Sequence, residues 1–129
     1  MLDLDRFKRV NDRYGHVAGD TVLAAVAGRM IACTRSSDIV FRYGGEEFLI
    51  VLSHTPLSGA RLLAERVRRS METLEISLGE ASVNVSVSAG VAEFRRGEQT
   101  ADLVERADQQ LYTAKSAGRN RVCPQRNSV

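Results

Sequence analysis

Apolar and polar positions follow two different periods along this chain, and each period predicts a different kind of element. Residues 2–5 alternate strictly between leucine and aspartate, which predicts a short strand. The stretch from residue 6 to about 13 has the spacing of a helix, and residues 14–16 interrupt it at a glycine. From Asp20 onward the apolar side chains recur with a helical period again. We therefore expect a second helix there, with Asp20 as its N-cap.

The middle of the chain has the pattern of a hairpin followed by a long helix. Two apolar runs flank Gly44 and Gly45 within residues 39–52. Paired glycines favour a tight turn because both can take positive φ. Thr55 and Pro56 then provide a cap and a first helical residue, and an apolar helical stripe follows them.

The last third of the chain adds a strand, a helix and a final short strand. Residues 83–91 alternate between apolar and small polar side chains, which is typical of a strand with one buried face. Thr100 begins another helical pattern, Gly118 supplies its stop, and a short strand is expected over residues 121–123. The whole order predicts an α+β fold, with a central mostly antiparallel sheet flanked by helices.

The composition is that of one globular domain spanning residues 1–129, with 43% apolar and 26% charged residues. No apolar run approaches the roughly 18 residues that a membrane span needs. We therefore expect no membrane contact from this segment and a cytoplasmic location, although a longer parent protein could be membrane-anchored. Cys33 and Cys123 have no metal or redox spacing, so they are expected to be reduced, packed thiols.

The charge of the chain excludes nucleic acid as the expected partner. The net charge is only +2, and no basic cluster is interleaved with stacking aromatic residues. Lysine is rare, because 16 of the 18 basic residues are arginine and the other two are Lys8 and Lys115.

Candidate chemistry centres on the glycine hairpin. Glu46 and Glu47 follow its two glycines directly, and Asp3 lies in the first predicted strand. If the two strands are neighbours, carboxylates converge at one edge of the sheet, where Mg²⁺ could be held together with phosphate oxygens. Asp5 could belong to the same cluster or cap the following helix, and we expect the cap.

Four segments together resemble the GGDEF family of diguanylate cyclases. They are DLDRFKRVNDRYGHVAGD at residues 3–20, RYGGEEF at 42–48, VSVSAGVA at 85–92 and ADQQLYTAKSAGRN at 107–120. The resemblance implies a palm-like fold similar to that of nucleotide cyclases. It also implies a homodimer in which each subunit binds one GTP, so that two GTP form cyclic di-GMP and two pyrophosphates.

The resemblance also implies the catalytic residues. Asp3, the backbone carbonyl of Leu4 and Glu46 would bind two Mg²⁺ ions per half-site, with Mn²⁺ as a possible substitute. Glu46, aided by Glu47, would help to deprotonate the attacking 3′-hydroxyl. The family most often has aspartate at position 46, and glutamate there is a common active variant.

The implied GTP-binding residues lie in three of the four segments, and Leu23 follows the first of them. Asn11 and Asp20 match the guanine-reading positions, since a carboxylate can accept from N1–H and N2–H₂ of guanine. From the residues alone, the favoured interpretations are a helix cap for Asp20, a turn residue for Asn11 and a core residue for Leu23. The full implied set is Phe7, Lys8, Asn11, Asp20, Leu23, Gly44, Gly45, Lys115 and Arg119.

A second implied site precedes the hairpin. Arg35 and Asp38 have the spacing of the family's inhibitory RxxD site, where they would bind the cyclic di-GMP product. Arg66 resembles the arginine that completes this site across a dimer. Taken alone, such a pair is usually a surface ion pair, and a cyclic di-GMP receptor without turnover remains an alternative function.

Family domains usually begin upstream of the first strand, with a DxLT motif and a helix that packs on the sheet. Neither is present in these residues, so we expect apolar sheet surface to be exposed and association to be favoured. Residues 124–129 are expected to form a disordered tail.

Overall fold

The computed structural model describes residues 1–125 and contains four helices and seven short strands within them. In chain order these are β1 (Leu2–Leu4), α1 (Phe7–Tyr14), α2 (His16–Cys33), β2 (Ile39–Arg42), β3 (Glu47–Val51), α3 (Leu57–Glu72), β4 (Ile76–Ser77), β5 (Ser82–Val83), β6 (Val87–Gly90), α4 (Thr100–Ser116) and β7 (Val122–Cys123). Most of the predicted tail, residues 126–129, lies outside the described residues.

The main sheet places β1 at its centre, in the order β2-β3-β1-β6-β7. All neighbouring strands are antiparallel except β6 and β7, which are parallel. The predicted α+β fold with a mostly antiparallel sheet is confirmed. Because β1 lies between β3 and β6, Asp3 is paired with Glu47 on one side and with Ser88 on the other.

Helices cover both faces of the sheet. The main core lies between one face and α1, α2 and α3, and its most deeply buried side chains include Leu4, Val26, Met30, Val67 and Val87. On the other face α4 packs against β6, and a smaller cluster forms around Leu111. Gly90 permits this close approach, because a Cβ there would collide with the backbone of Ala107 and Leu111.

Apolar residues are notable at two places, the edge strand β2 and the helix α2. The edge strand β2 leaves Ile39 and Phe41 about half exposed. Helix α2 is long and apolar enough to cross a membrane by length and composition alone. Its buried side chains, however, belong to the core described above, as in the central helix of many globular domains.

Two predicted helix starts were wrong. Helix α2 begins at His16, so Asp20 lies inside the helix and is not its N-cap; Gly15, with φ of 90°, occupies the cap position instead. Helix α3 begins at Leu57 and Pro56 is its cap residue, one position later than predicted. In the first case the glycine permits the sharp reversal between two helices, and no side-chain cap is needed.

The predicted strand over residues 83–91 is interrupted in the structure. Its first part, β5, pairs with β4 in a separate two-stranded hairpin that the sequence analysis missed. The break falls at Asn84, whose side-chain amide donates to the carbonyls of Met71, Glu72 and Leu74 at 2.9, 3.2 and 2.8 Å. Asn84 thus serves the C-terminal end of α3 instead of continuing a strand.

The predicted hairpin of β2 and β3 is confirmed, but its turn is not the expected tight one. The loop spans residues 43–46, and neither Gly44 nor Gly45 has positive φ. A longer loop spreads the reversal over more residues, so no left-handed conformation is required. The guanidinium of Arg42 stabilises it by donating to the carbonyl oxygens of Gly44 and Gly45 at 3.2 and 2.8 Å.

Candidate active site

The acidic residues singled out by the sequence do converge. Strands β1 and β3 are neighbours, and Asp3 is paired directly with Glu47 across them. The backbone N–H of Leu4 donates to the carbonyl oxygen of Glu46 at 3.2 Å. The end of the glycine hairpin is therefore fastened to the central strand, and Asp3, Glu46 and Glu47 lie at one place on the sheet.

The electrostatic environment of these three acidic residues favours a bound cation. Asp3 is only 3% exposed, and the ammonium of Lys115 from α4 contacts its Oδ2 at 2.9 Å. Burial raises the pKa of Asp3, and the hydrogen bond from Lys115 opposes that rise. Burial also raises the pKa of Glu46, and the nearby charge of Asp3 adds to the effect. The charge of Asp3 thus disfavours the ionised form of Glu46.

The donor set is compatible with Mg²⁺ held jointly by protein and substrate. Among residues 1–125, no group of three or more His, Cys, Asp or Glu side chains is placed to hold a metal ion. Mg²⁺ is commonly bound by one or two carboxylates together with substrate phosphates, and it does not need a cage made of protein ligands alone. Asp3 and Glu46, with the carbonyl of Leu4, fit this arrangement.

Asp5 is neither a helix cap nor part of this carboxylate cluster. The cap position of α1 is Arg6, and no side chain caps it. The carboxylate of Asp5 is buried and accepts hydrogen bonds from the hydroxyls of Ser86 and Ser88 at 2.7 and 2.6 Å. It also accepts from the backbone N–H of Asn120 at 3.0 Å. Asp5 therefore joins β1 to β6 and to the loop after α4, a role that the sequence did not suggest.

Two of the three predicted phosphate-binding side chains, those of Lys115 and Arg119, lie near the carboxylates, whereas that of Lys8 is paired elsewhere. Lys115 contacts Asp3, and the positive charge of Arg119 also acts on Asp3. Lys8 extends into solvent from α1 and forms an exposed ion pair with Asp12 at 2.8 Å. The glycine loop adds an open stretch of backbone, since a Cβ on Gly45 would meet no atom within 4 Å.

The predicted guanine-reading residues lie where α1 meets α2. Asn11 lies against Gly19, where a Cβ would collide with Oδ1 of Asn11 and stand 3.1 Å from Cζ of Phe7. Oδ1 of Asn11 is buried without a hydrogen-bond partner among residues 1–125. Asp20, the residue after Gly19 in α2, is exposed, whereas Phe7 and Leu23 are buried in the main core.

Arg35 and Asp38 form a pre-arranged pair at the end of α2. Asp38 Oδ2 accepts from the backbone N–H of Arg35 at 2.9 Å and from its Nε at 3.5 Å. Nη2 of Arg35 also donates to Thr55 at 2.9 Å, a partner that sequence reasoning missed. The Arg35 side chain is 64% exposed, while that of Asp38 is 1% exposed. Arg66 is exposed on α3, and within residues 1–125 it makes no hydrogen bond or ion pair with either residue.

The geometry fits what the family comparison finds. The sequence profile of the family described as "Diguanylate cyclase, GGDEF domain" matches residues 1–121. The chain belongs to the GGDEF domain family. Diguanylate cyclase A of Treponema denticola is 45% identical over 130 residues, covering 100% of this chain and 35% of that protein. The chain thus spans about a third of the length of this curated relative.

Solved GGDEF domains have the same fold. The GGDEF domain of DgcB from Caulobacter crescentus, in complex with c-di-GMP, superposes with a TM-score of 0.89 at 35% identity, covering 94% of this chain and 72% of that one. The active GGEEF domain of a diguanylate cyclase from Vibrio cholerae gives a TM-score of 0.87 at 38% identity, covering 98% and 81%. The second of these has the same GGEEF sequence type as residues 44–48 here.

Proposed function

We propose that this GGDEF domain is the catalytic domain of a diguanylate cyclase. Two copies would face each other, each carrying one GTP, and condense the two nucleotides into cyclic di-GMP. The observation that carries the proposal is the junction of β1, the glycine loop and α4, where Asp3, Glu46 and Lys115 meet. One site would then contain carboxylates for a metal ion, a cation for phosphate and an open stretch of backbone.

The chemistry consists of two identical displacements. In each, the 3′-oxygen of one GTP bonds to the α-phosphorus of the other. The bond from that phosphorus to the bridging oxygen breaks, and pyrophosphate leaves with the electron pair. Glu46 would accept the proton of the 3′-hydroxyl, with Glu47 beside it. Bound Mg²⁺, held by Asp3, Glu46 and the carbonyl of Leu4, would supply charge stabilisation on the phosphates.

The cationic residues would hold the triphosphate in the line of attack. Lys115 and Arg119 would contact the triphosphate from α4 and the loop after it. Lys8, on α1, would contact the phosphates from a second side after leaving its exposed ion pair with Asp12. Asn11 and Asp20 would read the guanine edge, which places the base towards the α1–α2 junction. Positioning of this kind accounts for much of the catalysis of phosphoryl transfer.

The test of this function is chromatography of nucleotides after incubating concentrated protein with GTP and Mg²⁺, beside the Glu46→Ala variant. We expect cyclic di-GMP from the parent chain, and a rate at least on the order of 100-fold lower from the variant, because the base and a metal ligand are lost together. Equal product from both proteins would contradict the assignment of Glu46. Cyclic di-GMP binding without synthesis by the parent chain would favour a receptor.

Product inhibition is the second part of the proposal. The exposed guanidinium of Arg35, oriented by Asp38 and Thr55, is suited to bind a phosphate of cyclic di-GMP, and Arg66 of a facing copy could complete the site. We expect Arg35→Ala to raise the inhibitory concentration of cyclic di-GMP by at least about ten-fold, since a charged hydrogen bond is lost. Initial rates measured with added cyclic di-GMP check this. Unchanged inhibition in Arg35→Ala would contradict the assignment.

A further inference from the structure

The loop between α4 and β7 has an unusual backbone. Gly118, Arg119 and Asn120 follow one another with φ of 122°, 65° and 47°. Two consecutive non-glycine residues in the left-handed region are uncommon, because their Cβ atoms crowd the backbone. Such conformations persist where the surrounding structure fixes them by several contacts. Arg119, a proposed phosphate ligand, is one of the two.

The backbone N–H of Asn120 and both polar atoms of its side-chain amide have hydrogen-bond partners in the protein. Its backbone N–H donates to Oδ2 of Asp5 at 3.0 Å. Its side-chain Nδ2 donates to Oε1 of Glu72 at 3.1 Å, and its Oδ1 accepts from Nη1 of Arg68 at 3.0 Å. A guanidinium can only donate and a carboxylate can only accept, so the two partners fix which way the amide is turned.

Two of the three partners of Asn120, Arg68 and Asp5, are themselves held by further hydrogen bonds. Arg68 is 14% exposed, and it forms two hydrogen bonds to Glu65, from Nε at 3.0 Å and from Nη2 at 2.6 Å. Asp5 is buried between Ser86 and Ser88. The Asn120 turn is therefore attached to α3 through Arg68 and Glu72, and to the central strand region through Asp5.

The direction of Arg119 depends on this attachment. Its own carbonyl accepts from Nε of Arg121 at 3.0 Å, and its N–H donates to the carbonyl of Ala114 at 3.0 Å. Because hydrogen bonds fix the backbone of Arg119, its side chain leaves the backbone at a defined position near Asp3. A rotation of the Asn120 backbone out of the left-handed region would redirect the chain immediately next to Arg119.

We propose that Asn120 is a positioning residue for GTP. Through Arg68, Glu72 and Asp5 it holds the left-handed turn that presents Arg119 to the triphosphate. The inference rests on the proposed function, because Arg119 is a phosphate ligand only if GTP is the substrate. It adds a residue that contacts no nucleotide itself, together with an ion-pair network on α3, to the determinants of GTP affinity.

The test is a double-mutant cycle in the dissociation constant for GTP with Mg²⁺, measured by equilibrium dialysis, and in KM and kcat. Asn120→Ala should weaken GTP binding and raise KM on the order of ten-fold, since misplacement of a ligand by about 1 Å is costly. In an Arg119→Ala background the same substitution should change binding less than about two-fold, because Asn120 acts through Arg119. A full loss in both backgrounds would overturn the proposal, as would no loss in either.

Two matched variants separate positioning from general stability. Asn120→Gly tolerates positive φ but, like Asn120→Ala, lacks the side-chain amide that bonds Arg68 and Glu72, so it should recover only part of the affinity lost in Asn120→Ala. Full recovery would show that positive φ alone is needed and would overturn the part assigned to Arg68 and Glu72. Asn84→Ala removes a comparable amide network from the same C-terminal end of α3, where Asn84 bonds backbone carbonyls and contacts neither Arg68 nor Asp5, and it should leave GTP affinity unchanged. If Asn84→Ala weakens GTP binding as much as Asn120→Ala does, the effect is one of stability and the proposal is wrong. Parent protein that binds no GTP would instead defeat the proposed function, and this inference with it.

Discussion

Gly19 shows how one missing atom can decide the shape of a binding site. It is buried beneath the α1–α2 junction, where a Cβ would collide with Oδ1 of Asn11 and crowd Phe7. Both neighbours belong to the set of residues that we assign to GTP. The side chain of Asn11 can keep its present place only if residue 19 has no side chain.

We therefore predict that Gly19→Ala raises KM for GTP on the order of ten-fold, because the Asn11 amide is displaced. The overpacking should also cost about 1–3 kcal/mol of the free energy of unfolding. The matched control is Gly28→Ala in the same helix, where a Cβ would meet no atom within 4 Å. That change should stabilise the protein by about 0.5–1 kcal/mol and leave KM unchanged. Equal KM values for both variants would contradict the proposed place of the base.

At the scale of residues, the sequence predicted which residues form the candidate site better than it predicted what each of them contacts. Asp3 and Glu46 were expected near one another and Lys115 was expected to bind GTP; the sheet register brings the carboxylates together, and Lys115 forms an ion pair with Asp3. Asp5 was misassigned as a cap, because its partners Ser88 and Asn120 lie 83 and 115 residues away along the chain. No local pattern can reveal a contact between residues so distant in sequence.

At the scale of elements, the segment between α3 and β6 differs most from the structure that its sequence pattern predicted. The alternation of residues 83–91 predicted one strand, but the side chain of Asn84 binds three carbonyls at the end of α3 and ends the alternation there. The alternation of apolar and polar residues indicates only which side chains face the core. It does not reveal that a polar side chain forms hydrogen bonds with a neighbouring helix. The same limit explains why β4, of two residues, was missed.

We predict that Asn84→Ala lowers the free energy of unfolding by about 1 kcal/mol, since several carbonyls lose a protein donor. Urea denaturation followed by circular dichroism measures the change. Ser82→Ala is the control, because it removes an exposed side-chain hydrogen bond to Glu75 in the same hairpin. Its effect should remain within about 0.5 kcal/mol. A larger loss in Ser82→Ala than in Asn84→Ala would show that the hairpin, and not the helix end, is the stabilising feature.

At the scale of the whole molecule, the family and the α+β fold were predictable from four short segments in register. The exposed apolar residues of the β2 edge, Ile39 and Phe41, are consistent with a surface that associates, but the dimer stays a prediction. Each copy offers only part of the proposed site, since the 3′-hydroxyl that attacks one GTP belongs to the nucleotide of the other copy. Turnover should therefore require two copies.

The central claim is that this domain joins two GTP through Asp3 and Glu46. The most direct test measures cyclic di-GMP and pyrophosphate together, over time, in reactions of the parent chain and of Glu46→Ala with GTP and Mg²⁺. We predict two pyrophosphates for each cyclic di-GMP from the parent chain, and at least about 100-fold slower formation of both products by the variant. Release of inorganic phosphate with GDP, or the same products at the same rate from Glu46→Ala, would contradict it.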